Sequence, residues 1–477
     1  MENNVSNKTL IKKNIFIVII FFSILLSLDI FIGKISILPV TIPLLTVSLI
    51  IILVTFFLKN TWIPLIILTI PIRDICFANF GNAHIRIGDM LILLVAFFWF
   101  TRKIATGSKI KIVRNKLDML ILFFIFINII SILWSTNLGD GAVRILKFLR
   151  NGMLFFLLRE FLIKDFNKQY VKIVILFLIT GFMVSIVPLC DIYEFGGAIR
   201  SIQFLRAAES LPSSSLALSL AKRSKSGGIF MLGISSWLAM CTFMGIGLMP
   251  QIKKNGIYIL NLLLIFIMIG LIGFSCDRAT WVGFAGGMLM FFITIFGDLY
   301  KKQKFYLLLI LFCIVVFLYF SGFVEIIDMR ISPKVLSDDP SVLIRLNLYR
   351  LAIADFLRHP LFGAGVSGIT PLSRYGNPLV THNLYLQILG ELGAIGFIIF
   401  SCLLYLWLNY LIKLLKRFSY ISDKKNKFIS ASIFGATVCY LTTCLAGQDF
   451  EDMIPWILLS ITSALFTEFR THKAINF

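Results

Sequence analysis

The chain has 477 residues, 58% of them hydrophobic and 14% charged, and its 45 Lys and Arg against 24 Asp and Glu give a formal net charge of +21. Soluble proteins carry roughly 25% charged residues, so a soluble globular enzyme is excluded and an integral membrane protein is expected. Unbroken apolar runs such as Ile15 to Leu28, in place of short alternating segments, exclude an outer-membrane barrel and leave helical spans.

A spanning helix uses about 20 apolar residues. In chain order the apolar runs predict spans near 14–33, 36–58, 62–78, 85–101, 117–135, 142–162 and 171–190, then 228–249, 255–274, 279–298, 305–322, 384–412, 428–446 and 453–468. The third is short and broken by Pro64 and Pro71. The first follows Lys8, Lys12 and Lys13 as a signal peptide would, but it lacks a small-residue cleavage site and leads straight into another span, so it reads as retained. The expected fold is an all-α membrane protein with about 14 transmembrane helices, within a range of about 12–14, and two long external loops. The eight cysteines lie in or beside apolar runs without CxxC spacing, so neither a zinc site nor a disulfide framework is indicated.

Lys and Arg near span ends favour the cytoplasm where loops are short. Of the 45, 27 fall on alternate loops that include both termini, which places both termini in the cytoplasm. Most of the remaining 18 belong to two long loops on the opposite face, near 191–227 and 323–383. The first holds Arg200, Arg206, Lys222, Arg223 and Lys225; the second holds Arg330, Lys334, Arg345, Arg350, Arg358 and Arg374. Basic residues gathered outside imply a bound anion, either a substrate or lipid headgroups. Arg144, Lys147 and Arg150, spaced by three at the outer end of the sixth span, line one stripe of a helix. Snorkelling to the interface is the alternative account of that stripe.

Of four histidines, His382 stands out, because it lies where the second long loop enters the twelfth span. With Thr381 as the expected N-cap, the imidazole sits in a first helical turn, where the macrodipole favours its neutral form and free N–H groups suit phosphate oxygens. Neutral imidazole is what a general base needs, although an ordinary interfacial histidine fits the same position. Gly390, Gly393 and Gly396 recur every three residues and predict a smooth packing face. Glu391, nine residues and about 13 Å along the helix from His382, is expected to pair with an arginine or a helix end. Arg278 is held in a short external turn after Ser275-Cys276-Asp277. A polar helix should run from about Asp339-Pro340-Ser341 to Arg358 and stop at His359-Pro360. Arg345 and Tyr349 share one of its faces, whereas Arg350 lies about 140° away. Leu361-Phe362-Gly363-Ala364-Gly365-Val366-Ser367-Gly368 follows as a glycine-rich turn with a weak phosphate-loop signal.

The ordered set Ser275-x-x-Arg278, Arg345-x-x-x-Tyr349 leading to His359-Pro360-Leu361-Phe362-Gly363-Ala364-Gly365, then His382-Asn383 with Leu386 and Glu391-x-Gly393-x-x-Gly396, resembles the bacterial O-antigen ligase and polymerase family over about residues 255–410. The resemblance implies a glycosyltransferase of GT-C architecture that uses undecaprenyl diphosphate-linked oligosaccharide at the outer face of the cytoplasmic membrane, with inversion. It places a catalytic histidine at His382 and diphosphate-binding arginines at Arg278 and Arg345; Arg200, Arg206, Tyr349, Arg350, Asn383 and Glu391 are the further candidates expected to support them. It implies no cofactor, no metal and no nucleic acid. The expected partners are membrane lipids and a chain-length regulator or other polysaccharide assembly proteins. The expected organisation is an N-terminal bundle at 1–254 carrying loop 191–227, a catalytic region at 255–412 carrying loop 323–383, and C-terminal spans at 413–477. Two basic external loops would suit two lipid diphosphates and thus a polymerase, with a ligase acting on lipid A-core as the alternative. A lipid-linked oligosaccharide flippase or transporter is the rival of another class, but transporters place their charges at mid-membrane between repeated halves, and neither feature is seen.

Overall fold

A computed structural model describes residues 63, 66–67, 76–80, 83–105, 107, 112–192, 234–275, 277–296, 340–369, 381–447 and 450–471. The spans expected at 14–33, 36–58 and 305–322, the loop 191–227 with Arg200 and Arg206, and much of 323–383 lie outside the described residues. The described chain is helical apart from one hairpin, and it is a multi-pass membrane protein by the length and apolarity of its helices.

The hairpin pairs β1 (Cys76–Phe80) with β2 (Ala83–Arg86) antiparallel, Phe80 facing Ala83. It occupies the end of the span expected at 62–78 and the start of that at 85–101. Gly81-Asn82, the two residues between the strands, are hairpin-turn types that override the apolar run. Then come α1 (Ile87–Ala105), α2 (Lys116–Ile130) with a 3₁₀ turn at Ser131–Trp134, α3 (Leu138–Leu162) and α4 (Phe166–Ile192). They are followed by α5 (Ile234–Leu248), α6 (Asn255–Phe274), α7 (Arg278–Ile295) and α8 (Pro340–Arg358). The last three are α9 (Leu384–Tyr420), α10 (Lys424–Thr443) and α11 (Met453–Thr471). Among the described residues, α2 with its 3₁₀ turn, α4, α6, α7 and α9 are long and apolar enough to cross a membrane, and α11 is a shorter apolar helix. The polar helix expected after Asp339 is α8, with Pro340 opening it and Arg358 ending it.

Lipid tails are as apolar as leucine, so helices in a bilayer associate through close packing and polar links. Helices α7 and α10 pack along their length, because Gly283 and Gly287 on α7 and Gly435 on α10 bring the backbones together. A Cβ on Gly435 would meet the Gly287 carbonyl at 2.9 Å. Phe124, Phe148, Phe400, Phe450 and Trp456 form an aromatic knot between α2, α3, α9 and α11.

Polar residues gather at the two ends of the bundle. One end is closed by Asp118, buried at the start of α2, which accepts from Arg159 at 2.6 Å and from the Ser463 hydroxyl at 2.7 Å. It also accepts from the Arg114 and Asn115 amides, and Asn115 returns a capping bond to the Asp118 amide. Arg114 forks onto both oxygens of Glu160, at 2.8 and 3.1 Å. The opposite end holds His382.

Candidate active site

The loop enters α9 through His382 and Asn383. Asn383, rather than Thr381, is the N-cap: its Oδ1 accepts the Leu386 amide at 3.0 Å, so His382 lies one residue before the cap. His382 has φ 55°, the left-handed region, which a residue with a Cβ occupies only when its surroundings enforce it. Those surroundings come from two elements. Tyr349 Oη on α8 donates to the His382 carbonyl at 3.4 Å and to the Leu445 carbonyl at 3.3 Å. In the turn after α10, Leu445 also accepts from Asn383 Nδ2 at 3.1 Å, and Cys444 accepts the Leu384 amide at 3.0 Å.

Burial lowers the His382 pKa below its ordinary value of 6.5, and the positive charge of Arg345 lowers it further. Both effects favour the neutral imidazole. Tyr349 and Arg345 reach His382 from the same face of α8, as their spacing predicted. Arg350 is exposed on another face, and Leu348 and Ala352 are buried. Gly390 permits the close approach of α8, since a Cβ there would lie 2.9 Å from the Ala352 carbonyl.

Arg278 is the first residue of α7. The carboxylate of its neighbour Asp277 caps the helix at the Thr280 amide and accepts the Thr280 and Ser235 hydroxyls at 2.6 and 2.8 Å. Ala279 accepts from Thr443 at the end of α10, one residue before the Cys444 carbonyl that holds Leu384. Arg278 and His382 thus flank the same C-terminal turn of α10.

Gly393 does not continue a smooth helix face; it breaks α9, with φ 64° and ψ −164°. A continuous helix would bond the Ala394 amide to the Gly390 carbonyl and the Ile395 amide to the Glu391 carbonyl. All four groups instead pair with the glycine-rich turn: the two carbonyls accept from Ala364 and Gly365, and the two amides donate to Pro360 and Leu361. Gly363 and Gly393 meet so closely that a Cβ on Gly393 would lie 2.5 Å from the Gly363 nitrogen. The turn is therefore a patch for a broken helix, its Ala364 and Gly365 amides already spent, and it is no phosphate loop. The turn is also fastened to the 3₁₀ segment by bonds between Ser135 Oγ and the Val366 carbonyl, at 2.6 Å, and between the Val366 amide and Ser131 Oγ, at 3.2 Å.

Glu391 is paired as expected, with Arg144. Arg144 and Lys147 do not form an open basic stripe either. Arg144 bonds both Glu391 and Glu451, and Lys147 bonds Glu451 at 2.8 Å. Arg150 and Asn151 donate to the Glu451 backbone carbonyl at 3.1 and 2.8 Å. Burial alone would raise the Glu451 pKa, but Arg144, Lys147 and Arg150 outweigh it and hold the carboxyl well below its usual range. Glu451 was not singled out from the sequence, where it is one acidic residue among several in a short turn and carries no periodic signal.

The O-antigen ligase family model matches residues 263–401, from within α6 to within α9, a stretch that includes Arg278, Arg345, Tyr349 and His382. A Rickettsia conorii protein named as a polysaccharide ligase is 29% identical over 221 residues, covering 43% of this chain and 49% of that protein. Similarly named proteins of Rickettsia felis and Rickettsia prowazekii are 28% and 26% identical, covering 44% and 38% of this chain. The chain spans about half the length of the curated relatives it matches, 49% and 51% of the R. conorii and R. felis proteins. Residues 263–401 are thus similar to the O-antigen ligase family.

Proposed function

We propose that the protein transfers a glycan from undecaprenyl diphosphate to a sugar hydroxyl at the outer face of the cytoplasmic membrane. The observation that carries this reading is His382 held in a left-handed conformation at the mouth of α9, with burial and the charge of Arg345 both lowering its pKa. In the reaction, His382 takes the proton of the acceptor hydroxyl as that oxygen attacks the anomeric carbon. The bond from that carbon to the diphosphate breaks, and the charge left on the diphosphate oxygens is stabilised by Arg345 and Arg278, whose planar forks suit phosphate in a site of low dielectric. A single displacement of this kind inverts the anomeric centre.

Two acceptors fit this chemistry. If the acceptor is another lipid-linked repeat, the protein is a polymerase, a reading supported by the second basic loop at 191–227. If it is a lipid A-core sugar, the protein is a ligase, a reading supported by the names of the relatives. The glycan profile of a deletion strain separates them: single repeats on the acceptor indicate polymerisation, long chains left on the carrier lipid indicate ligation, and an unchanged profile overturns both. In the complemented strain, His382→Ala should insert and accumulate normally yet transfer about 10²–10⁴-fold more slowly. Retained transfer would overturn the catalytic role of His382.

A further inference from the structure

The break at Gly393 divides α9 into a short segment, Leu384–Leu392, and the long remainder that runs on to Tyr420. In an unbroken helix, His382 would inherit its position from the membrane span as the end of a rigid rod. Across the break that rigidity is lost, and the short segment must be located by what touches it from the side.

Its lateral contacts close into a ring. At one end, Asn383 and Leu384 bond the Leu445 and Cys444 carbonyls. At the other end, the Glu391 carboxylate bonds Arg144 and accepts from Gln387 at 3.3 Å. The turn that begins at Cys444 leads to Glu451, and the Glu451 carboxylate bonds the same Arg144. One buried guanidinium on α3 therefore joins the far end of the histidine-bearing segment to the far end of the turn that holds its near end. The fork of Arg144 spans two carboxylates in a way that the point charge of lysine does not.

We propose that Arg144 is a positioning residue for His382: by bridging Glu391 and Glu451 it fixes the short segment of α9, and with it the imidazole, relative to the bundle. This rests on the glycan-transfer reading above. Arg144 touches neither reactant. Its effect falls on the placement of the base, and a displacement of about 1 Å costs on the order of 10²-fold in rate. The arginines assigned to the diphosphate stand on α7 and α8, outside the ring, so donor binding is left intact.

The test uses the full-length protein in liposomes with a lipid-linked glycan donor. Arg144→Lys, which keeps the charge and loses the fork, should lower kcat about 10–100-fold and leave KM for the donor within about twofold. Glu391→Gln should do the same, and the double variant should be no slower than the worse single one, because both act through one bridge. A raised KM at unchanged kcat, or losses that multiply in the double variant, would overturn the proposal. If Arg144→Lys does not accumulate in the membrane, Glu391→Gln carries the same comparison, and failure of both to accumulate assigns the bridge to folding alone and also overturns it. His382→Ala is measured alongside. If it stays active, the transfer chemistry itself is wrong, whereas an inactive His382→Ala with a fully active Arg144→Lys removes only the positioning role.

Discussion

The two ends of the bundle solve the same problem, a charge buried among apolar helices, in different ways. At the Asp118 end every link is ordinary helix chemistry. Arg159, Asn115 and Ser463 come from regular helices or a cap, and Asp118 completes a capping box. At the His382 end the ion pairs sit among unusual backbone: positive φ at His382, Ser367, Gly363, Gly365 and Gly393, and a helix broken and patched by a loop, whereas the positive-φ residues Gly107 and Ser422 lie in turns outside the bonds made to Asp118. Strained conformations cost on the order of 1–3 kcal/mol each and persist only where the surroundings over-determine them. The end whose ion pairs sit among unusual backbone is the end proposed to carry the chemistry, and the other end holds the helices together.

The comparison predicts its own separations. The largest effect on stability is expected at the Asp118 end. Asp118→Ala removes the nearer carboxylate of the buried Arg159, leaving it Glu160 at 3.1 Å, and should destabilise by about 3 kcal/mol, read as thermal unfolding in detergent, with transfer by the remaining folded protein unchanged. A folded variant that had lost transfer would erase the distinction between the ends.

Gly393→Ala tests the patched helix. Its backbone conformation alone should cost about 1–3 kcal/mol, and its Cβ meets the backbone of Leu361 and Gly363 at 2.5 Å. The short segment must shift, so transfer should fall further than the stability loss explains. An equal fall in both would mean that the break serves folding only.

The smallest effect concerns protonation. Burial and Arg345 both lower the His382 pKa, so the neutral base persists as pH falls and the acid limb of the transfer rate should lie below 6.5. Replacing Arg345 with Gln removes the second cause alone, so the limb of the residual activity should move up toward 6.5 without reaching it. The matching change at the exposed Arg350 should leave the limb in place. A limb that ignores Arg345 would mean that some group other than His382 titrates.

Hydropathy, charge and helical spacing were enough to read the membrane class, α6 to its limits, α8 with its stop at His359-Pro360, and the face shared by Arg345 and Tyr349. Each depends on local composition or on helical spacing, which a linear chain displays. Gly283 and Gly287, one helical turn apart, carry the α7–α10 contact. The hairpin at Cys76–Arg86 was hidden because apolar residues suit a strand as well as a span.

What only the tertiary structure decided are relations between distant segments. Sequence periodicity made Gly390, Gly393 and Gly396 one face. The break appears only once the glycine turn, about 30 residues earlier, supplies the hydrogen bonds that Gly393 forgoes. Likewise Arg144, Lys147 and Arg150 formed a basic stripe until Glu391 on α9 and Glu451 in the turn before α11, both far along the chain, took up Arg144 and Lys147. Composition and period settle which residues are apolar and which share a helix face. Whether a buried charge or an open backbone group finds its partner depends on three-dimensional proximity, and no period in the sequence encodes it.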